Sequence, residues 1–320
     1  MKIAVDAMGG DFAPDAVVQG VKLLLEQLPS HVHIILLGVE DAVKQSMKQH
    51  GLSEAAVTVM HAPEVVEMGE SPTKALKSKP NSSIAVGVGL LAHKKVDAFC
   101  GAGNTGAMFA ASVFALKPLE GLLRPAIAGL VPKVDGTWSV LVDVGANAEC
   151  KPEFLEQFAV LGTEYAKHVM GINNPRVGLI NLGEEDQKGT AVIKEAHQLI
   201  RNNPKVNFVG NIEGRDFFKT TTDVMIADGF VGNVIYKMGE SIHEIVTAAG
   251  YKLTPFFENL NYEAIGGSPI VGINGNVIIG HGISNGLAIK NMILQAIKLV
   301  EVDLHSKMKD KFIHTPSQKV

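Results

Sequence analysis

Six turns in this chain combine glycine with side chains suited to holding an oxyanion. They are Asp6-Ala-Met-Gly-Gly-Asp11, Gly101-Ala-Gly-Asn-Thr-Gly106, Asp143-Val-Gly-Ala-Asn147, Asn181-Leu-Gly-Glu-Glu-Asp-Gln-Lys-Gly189, Asp228-Gly-Phe-Val-Gly-Asn233 and Gly280-His-Gly-Ile-Ser-Asn-Gly286. Each follows an apolar, strand-like run, and a helical pattern begins soon after. Glycine allows a close approach of backbone to ligand, and a helix N-terminus presents unpaired N–H groups to an anion. The side chains so placed are Asn104 and Thr105 beside Gly106, then Asn147, Lys188, Asn233 and His281. Ranged along one sheet edge, such turns make an oxyanion site.

The elements that must position them alternate from the first residue. Strands are expected at Lys2 to Asp6, His33 to Gly38, Val57 to His61, Val96 to Cys100, Ile127 to Val131, Ser139 to Val144, Val177 to Leu182, Val206 to Gly210, Val224 to Ala227 and Val277 to Ile279. Helical patterns fill most of the gaps, among them Thr105 to Leu116, Gly189 to Arg201 and Val234 to Ala248. This alternation predicts an α/β fold, a three-layer α/β/α sandwich. Asp135-Gly136 between two apolar runs signals a hairpin, which makes the sheet mixed. No linker marks a domain boundary, so residues 1–303 read as one α/β domain and 304–320 as a polar, solvated C-terminal tail.

Composition narrows the classes of function. Hydrophobic residues make up 46% of the 320 but aromatic ones only 6%, which implies an aliphatic core of the kind found in sheets covered on both faces. A net charge of -4 with no basic stripe argues against a nucleic-acid partner. The first residues run straight into a strand pattern, leaving no room for a signal peptide, so a cytoplasmic location is expected. Two cysteines without a CxxC give neither a disulfide framework nor a zinc set, and His31 with His33 lacks a third ligand, so no metal is expected. Cys100 ends a strand beside the Asn104 turn but has no base paired to it and reads as a small buried apolar side chain.

Gly101-Ala-Gly103-Asn-Thr-Gly106 also satisfies the G-x-G-x-x-G fingerprint of dinucleotide binding, yet no second strand ends in an acid about 20 residues on. Taken as wholes, the motifs point elsewhere. Asp6 to Asp11, Ala102-Gly-Asn-Thr-Gly-Ala107, Lys117-Pro-Leu-Glu-Gly121, Arg124-Pro-Ala126, Asp143 to Asn147, Asn174-Pro-Arg-Val-Gly-Leu179, Asp228 to Val234 and His281-Gly282 resemble the PlsX family, bacterial acyl-ACP:phosphate acyltransferases, in the family's order from residue 1 to about 300. That family usually has Ser at the position of Gly101, so the dinucleotide fingerprint is accidental.

The resemblance implies a fold similar to the isocitrate and isopropylmalate dehydrogenases and to phosphotransacetylase, two intertwined halves in a homodimer. It implies transfer of the acyl group of acyl-ACP to inorganic phosphate, with no cofactor. The acyl phosphate product feeds a glycerol-3-phosphate acyltransferase of phospholipid synthesis at the membrane. By the same resemblance Lys188 and Asn233 match residues thought catalytic. Asn104, Thr105, Gly106, Asn147 and His281 are the phosphate or substrate candidates. Two structural alternatives stand beside these roles: Lys188 as a solvated cation among Glu184, Glu185 and Asp186, and Asn233 as a helix N-cap. The rival functions are an NAD-dependent dehydrogenase on a similar fold and a non-catalytic ACP-binding scaffold. The chain departs from the family at Tyr251 to Ile265, much shorter than the family's amphipathic hairpin, which puts peripheral membrane association in doubt.

Overall fold

The computed structural model describes residues 1–313. In chain order the elements are β1 (Lys2–Asp6), α1 (Asp15–Leu25), β2 (His33–Gly38), α2 (Glu40–His50), β3 (Thr58–His61), α3 (Pro72–Ser78), α4 (Ser83–Ala92), β4 (Ala98–Gly101) and α5 (Thr105–Leu116). Then come β5 (Ala126–Pro132), β6 (Trp138–Val142), α6 (Pro152–His168), β7 (Arg176–Ile180), α7 (Ala191–Asn202), β8 (Asn207–Ile212), β9 (Val224–Ile226) and α8 (Gly229–Ala248). The chain continues through α9 (Pro255–Asn259), α10 (Tyr262–Ile265), β10 (Ser268–Val271), β11 (Asn276–Ile279), α11 (Gly286–Glu301) and α12 (Leu304–Met308).

Two compact units share this chain. The first takes Met1–Lys117, Met238–Ile270 and Gly275–Val302; the second takes Pro118–Lys237, Val271–Asn274 and the segment from Asp303. In the first, the strand order is β3-β2-β1-β4-β11-β10, parallel except for the antiparallel β10–β11 pair. Ile3, Ala4 and Val5 are consecutive and all fully buried, as are Ala98, Phe99 and Cys100, so helices cover both faces of this sheet. In the second, the order is β5-β6-β9-β7-β8, parallel except for the β5–β6 hairpin that Asp135-Gly136 announced. Gly136 supplies the positive φ of that turn, +84°. The expected α/β sandwich with mixed pairing is therefore observed, with the aliphatic core its composition implied.

Three details differ from expectation. Strand β10 is an addition; Gly266-Gly267 and Pro269 around it read as turn punctuation. The segment from Asp303 is not a solvated tail as far as residue 313. Leu304, Met308 and Phe312 recur every four residues and are buried, and Lys311 lies 3.4 Å from the enclosed carboxylate of Glu164; the expected tail residues 314–320 lie outside the described residues. The short segment after α8 folds back: Asn291 of α11 donates to the carbonyl of Glu263, and Leu260 and Ile265 are buried. Among the described residues no helix is long and apolar enough to cross a membrane.

Candidate active site

Strands β6, β9 and β7 are neighbours and parallel, so their C-terminal turns lie side by side on one edge of the second unit. The turn after β9, with Asn233, sits between the turn after β6, with Asn147, and the turn after β7, with Lys188. In open α/β sheets ligands bind at this edge.

Asn233 is not the helix cap. Helix α8 begins at Gly229, and it is Asp228 whose carboxylate accepts from the backbone N–H of Phe230 and Val231, at 3.0 and 2.8 Å. Asn233 stands one turn into the helix, and its Nδ2 donates to the carbonyl of Val144 at 2.9 Å. Gly145 permits this, since a Cβ there would lie 3.0 Å from that nitrogen. One of the two amide hydrogens thus fixes the side chain, and the other makes no hydrogen bond among the described residues.

The turn after β6 closes on a side chain of its own. Asp143 is fully buried and accepts from the backbone N–H of Ile127, Gly145, Ala146 and Asn147. The Asn147 amide donates to Asp143 and to the carbonyl of Pro125, each at 2.9 Å. These donors are engaged within the chain, which makes Asn147 a residue that shapes the turn.

Lys188 lies in the loop between β7 and α7, exposed, two residues before the N-cap Thr190. Asn181 donates to the Lys188 carbonyl at 3.1 Å and Asn211 to that of Glu185 at 2.9 Å, so the loop is tied at two points. Two of the three carboxylates named as possible partners of the ammonium are engaged elsewhere: Asp186 pairs with Arg201, and Glu184 lies 3.8 Å from Arg215. Among the described residues nothing pairs with the Lys188 ammonium, an available cation at the sheet edge.

In the first unit, β1, β4 and β11 are likewise adjacent and parallel, and their glycine turns pack on one another. Gly280 N–H donates to the carbonyl of Gly101 at 2.8 Å, and Asp11 N–H to that of Gly282 at 2.7 Å. Asn104 caps α5, accepting from Ala107 N–H at 2.9 Å, while its Nδ2 faces the carbonyls of Glu67, Met68 and Glu70 at 3.0–3.1 Å. Its side chain thereby organises the loop before α3. Thr105 and Gly106 open the 12-residue helix α5, whose first N–H groups have no intrahelical partner. His281 is a quarter exposed, with Nε2 3.1 Å from Glu240 and its ring tilted over Tyr262 at 5.5 Å.

Cys100 is fully buried, and burial pushes its thiol far above the ordinary range, which leaves no thiolate for acyl transfer. Burial likewise raises Asp6, against hydrogen bonds from Ser83, Met8 and Gly9. Among the described residues no three His, Cys, Asp or Glu side chains gather as metal ligands. Two polar residues escaped the sequence reading. Arg215 follows β8 and Gly214, the same strand-then-glycine pattern as the six turns, and that signal was present. Glu240 sits mid-helix with no local signal for its pairing with His281.

Comparison with known proteins shows the family. The profile of a family described as "Fatty acid synthesis protein" matches residues 1–250. The phosphate acyltransferase of Dictyoglomus turgidum is 40% identical, covering 96% of this chain and 96% of its own, and that of Syntrophomonas wolfei is 43% identical over 91% and 92%. Among solved structures, a phosphotransacetylase from Streptococcus pyogenes superposes with a TM-score of 0.65 at 18% identity, over 95% of this chain and 94% of that one, a likeness of fold. By these matches the chain is an acyltransferase and belongs to the PlsX family.

Proposed function

We propose that this enzyme transfers the acyl group of an acyl carrier protein thioester to inorganic phosphate, releasing acyl phosphate and the carrier thiol. Orthophosphate is a competent oxygen nucleophile at neutral pH, so the protein need only hold it beside the carbonyl and stabilise the oxyanion. Lys188 binds the phosphate dianion. Its oxygen attacks the thioester carbon, the second amide hydrogen of Asn233 meets the oxyanion, and collapse of the adduct breaks the C–S bond. The thiolate leaves and takes up a proton from Lys188 or water. The acyl phosphate serves glycerol-3-phosphate acylation, and the protein works as a cytoplasmic homodimer.

The observation that carries this reading is the unpaired Lys188 ammonium on the same sheet edge as Asn233, whose amide has one hydrogen fixed and one to give. Its test is the rate of acyl-phosphate formation by Lys188→Ala and Asn233→Ala. Loss of one oxyanion donor costs about 10²–10³ in kcat, and a fall of that order is expected for Asn233→Ala. Lys188→Ala is expected to lose affinity for phosphate as well. Near-wild-type rates in both variants would overturn the assignment.

A further inference from the structure

The outer side of α8 beside Asn233 is apolar, where a surface helix is ordinarily polar. Its inner side is built from Gly229, Gly232 and Tyr236. A Cβ at either glycine would collide with the backbone of the turn after β6, and the buried Tyr236 ring lies against Gly129 of β5. The residues that face the other way are Phe230, Val231 and Val234, 65%, 40% and 55% exposed. Positions three and four apart fall on one helix face, so these side chains form one surface over the first turns of α8.

A fourth side chain joins them from the neighbouring strand. Leu182, at 84%, is the most exposed large apolar side chain among the described residues. It stands two residues past the end of β7, and Phe230 stands four past the end of β9; the strands are parallel neighbours with Leu179 paired to Ile226. Adjacent strands run about 4.8 Å apart, so Leu182 and Phe230 leave the sheet side by side, on the edge that carries Lys188 and Asn233. The Leu182 N–H donates to the Asn181 side chain at 2.8 Å, which holds its backbone in place.

An exposed apolar patch marks a contact surface, and the thioester says what this one touches. The donor's carbonyl carbon carries an oxygen, the leaving sulfur and the acyl chain. The oxygen meets Asn233 and the attacking phosphate is held by Lys188, so the chain begins at this edge. It is the one part of the substrate with neither charge nor hydrogen-bonding group, and the edge offers it a surface of the same character.

We propose that Leu182, Phe230 and Val234 receive the first methylenes of the donor's acyl chain and make the enzyme selective for chain length. The proposal rests on the reading of Lys188 and Asn233 given above. From Phe230 to Val234 the helix rises about 6 Å, room for a short run of methylenes. Burying a methylene completely strengthens binding about fourfold, and laying it on one surface about twofold. Hexanoyl exceeds acetyl by four methylenes, so wild type should prefer the hexanoyl donor by about 16-fold in kcat/KM.

The test measures kcat/KM for acetyl, butyryl and hexanoyl thioesters of the acyl carrier protein, with oligomeric mass followed by light scattering. The proteins are wild type, Leu182→Ser, Phe230→Ser, Val234→Ser and the triple variant; all three positions are exposed, so melting temperatures should stay near that of wild type. The preference for hexanoyl over acetyl should fall with each substitution and reach about twofold in the triple variant. Asn233→Ala, run in parallel, should slow all donors alike. A wild-type preference in the triple variant overturns the patch and leaves Lys188 and Asn233 intact. So does a loss equal for all donors, which a face between copies of this chain or against a membrane would give. Unchanged turnover in Asn233→Ala overturns the placement of the carbonyl and the patch with it. Should Phe230→Ser disturb α8, Leu182→Ser reads the same surface from a different element, and an unaltered preference there would refute the proposal.

Discussion

Gly229 offers a measure of how tightly Asn233 must be placed. It is the first residue of α8, and its N–H donates to the carbonyl of Asn147 at 2.7 Å. A Cβ at this position would lie 2.7 Å from the Asn147 oxygen and 2.9 Å from its carbon and nitrogen, all backbone atoms. Carbon and carbonyl oxygen ordinarily approach to about 3.3 Å, so Gly229→Ala must separate helix and turn by about 0.6 Å. The turn is pinned by the buried Asp143 carboxylate, so the helix start moves, and Asn233, one turn along, moves with it. A misplacement of about 1 Å can cost about 10²-fold in rate, which puts the expected loss for this shift near tenfold in kcat. Stability should fall by no more than about 2 kcal/mol, because Ala in place of helical Gly contributes about 1 kcal/mol against an overpacking cost of about 1–3 kcal/mol. Gly89 in α4 is the control: its Cβ would meet nothing within 4 Å, so Gly89→Ala should leave turnover unchanged and raise the melting temperature slightly. The assay is release of carrier thiol with acyl-ACP and phosphate, alongside thermal melts. A wild-type kcat in Gly229→Ala would refute the argument that backbone contact between these two turns sets the position of Asn233.

Cys100→Ala should retain turnover with a modest loss of stability, and thiol reagents near neutral pH should leave activity intact; an inactive Cys100→Ala that still folds would restore a thioester intermediate to consideration. The ion cluster of the second unit should make stability sensitive to acid. Asp223 lies 2.9 Å from the buried Lys133 and receives two hydrogen bonds from the Arg176 side chain at 3.0 Å. Burial alone raises its carboxyl, but these bonds outweigh burial and hold it far below the ordinary range. A depressed acid contributes stability above its unfolded value of about 3.9 and loses that contribution as pH falls through the folded value. Thermal melts of wild type and Asp223→Asn should therefore differ by about 3 kcal/mol at neutral pH and begin to converge below about pH 4; a constant gap would contradict the linkage.

What the sequence could disclose was what neighbours in sequence decide. The alternation of apolar runs and glycine turns placed the strands of both units except β10, and Asp135-Gly136 disclosed the hairpin, because turn chemistry and strand period are local. Local ambiguity moved the start of α8. Asp228 is a good cap, but Gly229 and Gly232 beside it read as loop, so the helix was expected from Val234. The apolar stripe of Leu304, Met308 and Phe312 was masked in the same way by interleaved lysines. Partner choice is a different matter. Lys188 sits among three acidic residues, and from sequence alone any of them should neutralise it. The structure gives Asp186 to Arg201 and His197, and sets Glu184 near Arg215, groups brought in from α7 and from the turn after β8. The availability of the Lys188 ammonium is thus decided by residues nine or more positions away, each of which reads singly as an ordinary surface cation or core histidine. For this reason the motif picks out Lys188, while the means by which its ammonium stays unpaired becomes visible only when α7 and β8 are folded against the loop.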